Sequence, residues 1–253
     1  MRVIFAASLM FCSAASAQSM MSGLDLSSPD MTLAETTRAD IAAAIGASHG
    51  KPLDLTGKRL SGLDLSGLDL HGAVLRAARL NHANLAHANL EGANLDQAWA
   101  LEADFSGAHL NGASLFQAQL QKARFAGADF SHARIAADFS GADLEGATLR
   151  DANGAADEKN QSMGLMRASF SSANLANADF SGADLSRADL TFAKCRGADF
   201  RGAKLRDADA SGADLRGAEL EGLVAAGLDL DSAMIDTGAV FPAAVHLARA
   251  RRQ

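Results

Sequence analysis

Residues 83–95 read ANLAHANLEGANL, so Ala, Asn and Leu each return every five residues. A helix needs apolar residues about every 3.6 positions and a strand every second one, so a strict period of five fits neither. Repetition of one small unit over many copies predicts a solenoid whose stacked units share one continuous core. We call the large apolar residue of each unit its centre. Leu85 and Leu90 are two such centres, and Ala lies two residues before each of them.

The same pattern, A-(D/N)-(L/F)-x-x, recurs as ANLAH, ANLEG, ADLSR and ADFSG from about residue 53 to residue 235. It resembles the pentapeptide-repeat family. That resemblance implies an all-β fold, a right-handed quadrilateral β-helix with four pentads per coil, in which the centre and the preceding Ala fill the interior. Residues twenty apart would then form columns. Phe105 is expected to stack on Phe125, and Phe180 on Phe200.

The chain ends carry different signals. Residues 1–17 have one cation, Arg2, an apolar run and an Ala15-Ser16-Ala17 site, which indicates a signal peptide cleaved after Ala17 and a periplasmic or secreted protein. No later run is long enough to cross a membrane. Residues 18–52 are expected to hold a flexible segment and a capping helix that begins after Thr36 or Thr37. Residues 53–240 form the β-helix, and residues 241–253 a C-terminal capping helix with a basic tail, a membrane-binding or nucleic-acid-binding tail being the alternative.

Two breaks interrupt the period. Ile135 and Phe139 are four residues apart, which deletes one residue, and the repeat resumes at Leu165. Continuing the frame between them would bury Asp157 and Lys159, and unpaired buried charge is costly. The sequence therefore predicts a loop excursion near 150–164. Its polar tip, Asp157, Glu158 and Lys159, is either a binding element or a tolerated insertion.

Composition argues against several functions. The formal charge is −7, and the one dense basic cluster lies at the extreme C-terminus, so direct nucleic-acid binding is not expected. The sequence has no HExxH motif, phosphate loop or nucleophile elbow, and its histidines share no column, so we expect no enzyme, metal or cofactor. Cys195 occupies a centre position, which predicts a buried structural thiol.

Three columns are the candidate partner-binding positions. One contains Arg59, Arg79 and Trp99, where Arg79 either stacks on the indole or Trp99 only shields the small centre Ala100. The others are acidic: Asp179, Asp199 and Glu219 align on one face, and Asp189 and Asp209 on the opposite face.

These features predict a non-enzymatic exported solenoid that binds another protein or serves as a structural scaffold, and they allow a homo-oligomer. The resemblance supplies an alternative, an acidic DNA mimic that binds or protects a nucleic-acid enzyme such as DNA gyrase. Export argues against that alternative because gyrase is cytoplasmic.

Overall fold

The computed structural model describes residues 25–156, 166–237 and 251–252. Two short helices come first, α1 (Pro29–Thr32) and α2 (Arg38–Ala47). Two short strands close the described part, β1 (Met234–Ile235) and β2 (Arg251–Arg252). The chain between α2 and β1 forms a wall of single-residue parallel bridges.

The bridges define coils of twenty residues. Asp54 pairs with Val74 and Val74 with Asn94, always in parallel, and Arg59, Asp64 and Asp69 begin three further columns of the same spacing. Each coil therefore has four bridged positions, one for each pentad, and the structure is a β-helical solenoid. We name its four faces A, B, C and D after the columns that begin at Asp54, Arg59, Asp64 and Asp69.

The core is filled by the centres and the small residues that precede them. Leu90 and its neighbouring centres are 0% exposed, and the alanines two residues before the centres are buried throughout the coils that follow the first. Phe105 and Phe125 stack with ring centroids 4.9 Å apart, and Phe180 and Phe200 with centroids 5.1 Å apart. Both stacking predictions are confirmed.

Each corner is a tight turn. In the first coil the Lys58 amide donates to the Leu55 carbonyl (3.1 Å), and Gly57 between them has a φ of 65°. A positive φ at the third turn residue is the mark of a type II turn, which favours Gly. His82, His87 and Phe192 occupy the same corner position with φ values of 57–58°. Side chains at these corners therefore adopt a conformation that costs roughly 1–2 kcal/mol for an L-residue.

The predicted one-residue deletion is present. Gln119 pairs with Asp138, a spacing of 19 residues, and the Ala137 amide donates to the Ile135 carbonyl (2.8 Å). This bond spans two residues rather than three, so the corner is tighter than the others. Ala136 and Ala137 are both buried there, and the next centre, Phe139, stays in the core.

The wall extends further into the predicted loop than the sequence indicates. Asn153 bridges both Arg134 and Asp184, and the Gly154 amide donates to the Asp184 carbonyl (2.8 Å). Gly154 occupies a centre position, where an added Cβ would lie 2.8 Å from the Cβ of Ala168. The prediction that the chain leaves the wall at residue 150 is therefore wrong, because small residues can continue the wall at no cost in volume.

The chain is back in the wall at Ala168, whose amide donates to the Gly154 carbonyl (2.9 Å). Asp138 pairs with Ser169 at a spacing of 31 residues, eleven more than the repeat requires. Phe139 and Phe170 still stack, with centroids 5.0 Å apart, so the core column is continuous across the insertion. Residues 157–165, which include the predicted restart at Leu165, lie outside the described part.

The predicted N-terminal helix is present as α2. Thr37 is its N-cap and forms a capping box with Asp40, and Ile41 is buried against the first coil. That coil carries Leu53, Leu63 and Leu68 where later coils carry Ala, and these leucines are only partly buried. The Arg38 guanidinium donates to the Asp64 carbonyl (2.9 Å) and the Ser66 carbonyl (2.8 Å), which fixes α2 to the coil edge.

The C-terminal end differs from its prediction. Met234 pairs with Arg251 and Ile235 with Arg252 in parallel register, so the basic tail ends in a strand rather than a helix at these two residues. Backbone pairing satisfies the open edge of β1, which a helix would not do. Residues 238–250 lie outside the described part. None of the helices that the structure describes is long and apolar enough to cross a membrane.

Candidate functional site

The outward side chains of the bridged columns form the candidate site. The structure aligns the predicted groups: Arg59, Arg79 and Trp99 on face B, and Asp179, Asp199 and Glu219 on face D. The remaining predicted residues, Asp157, Glu158 and Lys159, lie outside the described part. The full column of face B contains, in order, Arg59, Arg79, Trp99, Gln119, Asp138, Ser169, Asp189, Asp209 and Asp229.

The three predicted residues at the start of face B have different roles. Arg59 pairs with Asp30 (2.9 Å) and Glu35 (3.3 Å) of the N-terminal segment, so it holds that segment to the first coil. Arg79 makes no ion pair with any described residue. Trp99 is half-buried beside Ala100. The column thus begins with a cation that is already used and continues with an available cation and an indole.

The expected cation–π contact between Arg79 and Trp99 is absent from the described part of the chain. The contact that does occur there is between Arg134 and Phe116, with the Arg134 Cζ 3.7 Å from the ring centroid. Arg134 lies at a bridged position and Phe116 at a corner of the preceding coil. A diagonal approach of this kind brings a guanidinium over a ring, whereas Arg79 and Trp99 project side by side from directly paired positions.

The carboxylates of face D are neutralised within the chain. Arg150 donates to Asp179 (2.7 Å), and Arg201 contacts both Asp199 (2.5 Å) and Glu219 (3.0 Å). The hydrogen bond from Arg201 lowers the pKa of Asp199, although partial burial opposes the shift. These arginines are corner residues that follow the centres Leu149 and Phe200.

The carboxylates of face B are not neutralised in this way. Asp189 and Asp209 accept hydrogen bonds from the amide and hydroxyl of Thr191 and Ser211, respectively. Asp229 accepts from the amide of Asp231 (2.8 Å). These bonds stabilise the adjoining corners but bring no cation, and no described Lys, Arg or His forms an ion pair with the three carboxylates.

Repulsion along this row has a definite size. Paired positions of adjacent coils lie about 4.8 Å apart, and two unit charges at that distance repel by about 1 kcal/mol in bulk water. The repulsion is larger where part of the surroundings is protein, and Asp189 is only 8% exposed. An unneutralised row of this kind is relieved by any cation that approaches face B from outside.

Sequence reasoning missed Phe192, which lies at the corner between faces B and C. Its side chain is 67% exposed, its φ is 57°, and its ring lies over Gly212, where an added Cβ would be 2.6 Å from the ring. One signal was available: a bulky aromatic residue two positions past a centre departs from the small or polar residues usual there. Phe192 gives face B an exposed apolar edge.

Other reactive groups offer binding chemistry at most. Cys195 is fully buried, and burial raises its thiol pKa to about 12, so the thiol stays protonated at neutral pH. Among the described residues no group of His, Cys, Asp and Glu side chains is arranged to hold a metal ion. His82 and Glu102 approach to 3.6 Å, but both side chains are exposed to solvent. Extended rows of charge and one aromatic edge are suited to recognising another macromolecule.

Comparison with known proteins identifies the repeat. The family model described as pentapeptide repeats matches eight copies, at residues 59–97, 102–135, 137–154, 165–194 and 183–222. No curated protein matches the chain.

Several solved pentapeptide-repeat structures align with it. HetL from the cyanobacterium Nostoc sp. strain PCC 7120, described as involved in heterocyst differentiation regulation, is 25% identical, with 82% of this chain and 100% of HetL covered and a TM-score of 0.26. A trypsin-treated form of QnrB1, described as a plasmid-mediated fluoroquinolone resistance protein, is 19% identical, with 76% and 89% covered and a TM-score of 0.38. A protein from the Arabidopsis thaliana thylakoid lumen is 25% identical, with 47% and 88% covered and a TM-score of 0.22. Because the family model matches more than half of its residues, the chain belongs to the pentapeptide-repeat family.

Proposed function

We propose that this protein is a non-enzymatic scaffold that binds another protein through the outward face of its β-helix. The observation that carries the proposal is the contrast between rows of carboxylates: those of face D are paired within the chain, and Asp189, Asp209 and Asp229 of face B are not. A row that repels itself and bears an exposed aromatic residue at its edge is stabilised by a partner with positive charge and apolar surface.

The scaffold we propose is a right-handed four-sided rod. In this description α2 covers the first coil and the C-terminal residues cover the last. Both ends of the rod are then closed, which protects the unpaired strand edges from association with other chains. Binding is thereby confined to the long faces.

A pull-down experiment tests the binding proposal. The tagged protein would be used to capture partners from an extract of its own compartment, beside a face B variant with Asp209→Asn and Asp229→Asn. A matched face D variant, Asp179→Asn with Asp199→Asn, is the control. We expect the captured protein to be lost with the face B variant and retained with the control. Equal capture by all three would contradict a binding site on face B.

We further propose that the protein is exported. The support is the leader-like composition of residues 1–17, which ends in Ala15-Ser16-Ala17. Cell fractionation with N-terminal sequencing tests this. A mature chain that begins near Gln18 outside the cytoplasm is the expected result, and an intact Met1 in the cytoplasm would overturn it.

A DNA mimic is the second candidate, and the unneutralised row on face B favours it. Three carboxylates in line present a regular negative charge to an enzyme that binds the phosphates of a nucleic acid. A gyrase supercoiling assay with the wild type and the Asp209→Asn, Asp229→Asn variant separates the candidates. Inhibition or protection that disappears in the variant, in a protein that stays cytoplasmic, would replace the exported scaffold by the mimic.

A further inference from the structure

Face B has opposite character at its two ends. Its column begins with Arg59, Arg79 and Trp99 and ends with Asp189, Asp209 and Asp229, and Asp138 stands fifth of the nine positions. When the order is reversed, each end faces the other: Arg79 is opposite Asp209, and Trp99 is opposite Asp189. A surface that matches its own reversed copy in this way is self-complementary, as the interface of a two-fold symmetric dimer must be.

We propose that face B is the interface of an antiparallel homodimer in which Arg79 of each copy pairs with Asp209 of the other. This inference rests on the proposed function of face B as a binding surface, and it identifies the partner as a second copy of this chain. Both groups of the pair are available, because neither Arg79 nor Asp209 forms an ion pair with any described residue of its own chain.

The apolar groups match in the same arrangement. A two-fold axis that lies across the faces leaves each corner opposite the same corner of the second copy, with the coil order reversed. The corner that bears Phe192 then meets the one that bears Leu101, next to Trp99. Leu101 and Trp99 are half-buried, and Phe192 is 67% exposed, so all three have apolar surface to cover. The α1 segment borders face B near Asn81 and faces the small residues Ser211, Gly212 and Ser232.

The expected contact is small. Seven coils at about 4.8 Å spacing give a length of about 34 Å, and a face about 15 Å wide then buries roughly 500 Å² on each copy. A total of about 1,000 Å² is at the low end for specific interfaces. We therefore expect a dissociation constant in the micromolar range and a dimer that weakens as salt screens its charge pairs.

Sedimentation velocity over a concentration series tests the proposal on the full chain. The wild type is expected to dimerise at low ionic strength and to dissociate in about 0.5 M NaCl. Arg79→Asp is expected to weaken the dimer by about tenfold or more, because the symmetric contact is lost twice. The decisive variant combines Arg79→Asp with Asp209→Arg: it exchanges both charges and should restore dimerisation. Circular dichroism confirms that each variant is folded.

A second variant tests the register. In the antiparallel arrangement the two Asp138 residues approach each other at the symmetry axis, where their charges repel. Each is held in place by hydrogen bonds from Ser140 and Gln121 (2.6 Å). Asp138→Asn removes the charge and should tighten the dimer several-fold. An unchanged dissociation constant would overturn the pairing of Arg79 with Asp209.

The results that overturn the dimer are distinct from those that overturn the scaffold. A wild type that stays monomeric at about 100 µM in low salt would overturn the homodimer. A folded double variant that fails to dimerise would do the same. Capture of a different protein by a monomeric wild type, lost in the Asp209→Asn, Asp229→Asn variant, would retain face B as a binding surface and replace the second copy with that protein.

Discussion

Faces B and D of the C-terminal coils are built from the same pentad and differ in how they treat their charges. Face D surrounds Asp179, Asp199 and Glu219 with Arg150 and Arg201, and the corner after it carries only glycines at its positive-φ positions from Gly182 to Gly222. Face B leaves its carboxylates without cations. The corner after it holds Phe192 at a φ of 57°.

The contrast shows that the repeat fixes the core but leaves the outer surface free to be either stable or available for binding. Face D satisfies its groups within the chain. Face B keeps like charges in line and a strained aromatic residue, both of which lower the stability of the isolated protein. Local features that cost stability and have no compensation in the chain are expected where a partner supplies the compensation.

The largest effect that we predict tests the shared core beneath this contrast. Phe200→Ala should lower the free energy of unfolding by about 3–5 kcal/mol, because the ring is fully buried and stacks on Phe180. Phe192→Ala is the matched control and should change it by less than about 0.5 kcal/mol, since that ring is mostly exposed. Chemical denaturation measures both. Similar losses for the two variants would show that inward and outward positions are wrongly assigned.

How far the sequence could predict this structure follows from what the period encodes. A period of five places the centres inward and stacks residues twenty apart, so Phe105 on Phe125 and the rows of faces B and D could be predicted. The four-residue step to Phe139 was equally visible. Each of these depends only on counting positions within an unbroken repeat.

The remainder depends on contacts that counting does not reveal. Gly154 lacks the apolar bulk of a centre, so the pattern did not show that the wall continues through it. The pairing of Arg150 with Asp179 spans the insertion, which changes the coil spacing from 20 to 31 residues. The strand at residues 251–252 depends on an open edge of β1 that no local pattern marks.

A smaller effect is predicted at the two corners. Phe192→Gly should raise the free energy of unfolding by about 1 kcal/mol, because glycine adopts a positive φ without strain and the exposed ring loses little contact. The matched control is Gly202→Ala at the corner after face D, where φ is 67° and an added Cβ has nothing within 4 Å. That change should lower the free energy of unfolding by about 1 kcal/mol through backbone strain alone.

Denaturation curves of these two variants sharpen the comparison of the faces. Opposite signs would show that face B is held in a strained state and that face D is relaxed. If Phe192→Gly instead destabilised the protein, the ring would contribute more packing on Gly212 than its exposure indicates.

The smallest effect concerns the charge pairing of face D and its dependence on pH. Arg201→Ala should lower the melting temperature at pH 7 by roughly 1–3 °C, since exposed ion pairs contribute little. Arg201 lowers the pKa of Asp199 in the folded protein, so the carboxylate binds protons less readily there than in the unfolded chain. This contribution to stability is present above the unfolded pKa of about 4 and is lost as pH falls through the folded pKa. The difference in melting temperature between wild type and Arg201→Ala should therefore shrink below about pH 4. Arg187→Ala, at a corner that borders face B, is the control for loss of a positive charge. A difference between wild type and Arg201→Ala that stayed constant from pH 7 to pH 2 would mean that Arg201 stabilises face D by packing rather than by its charge.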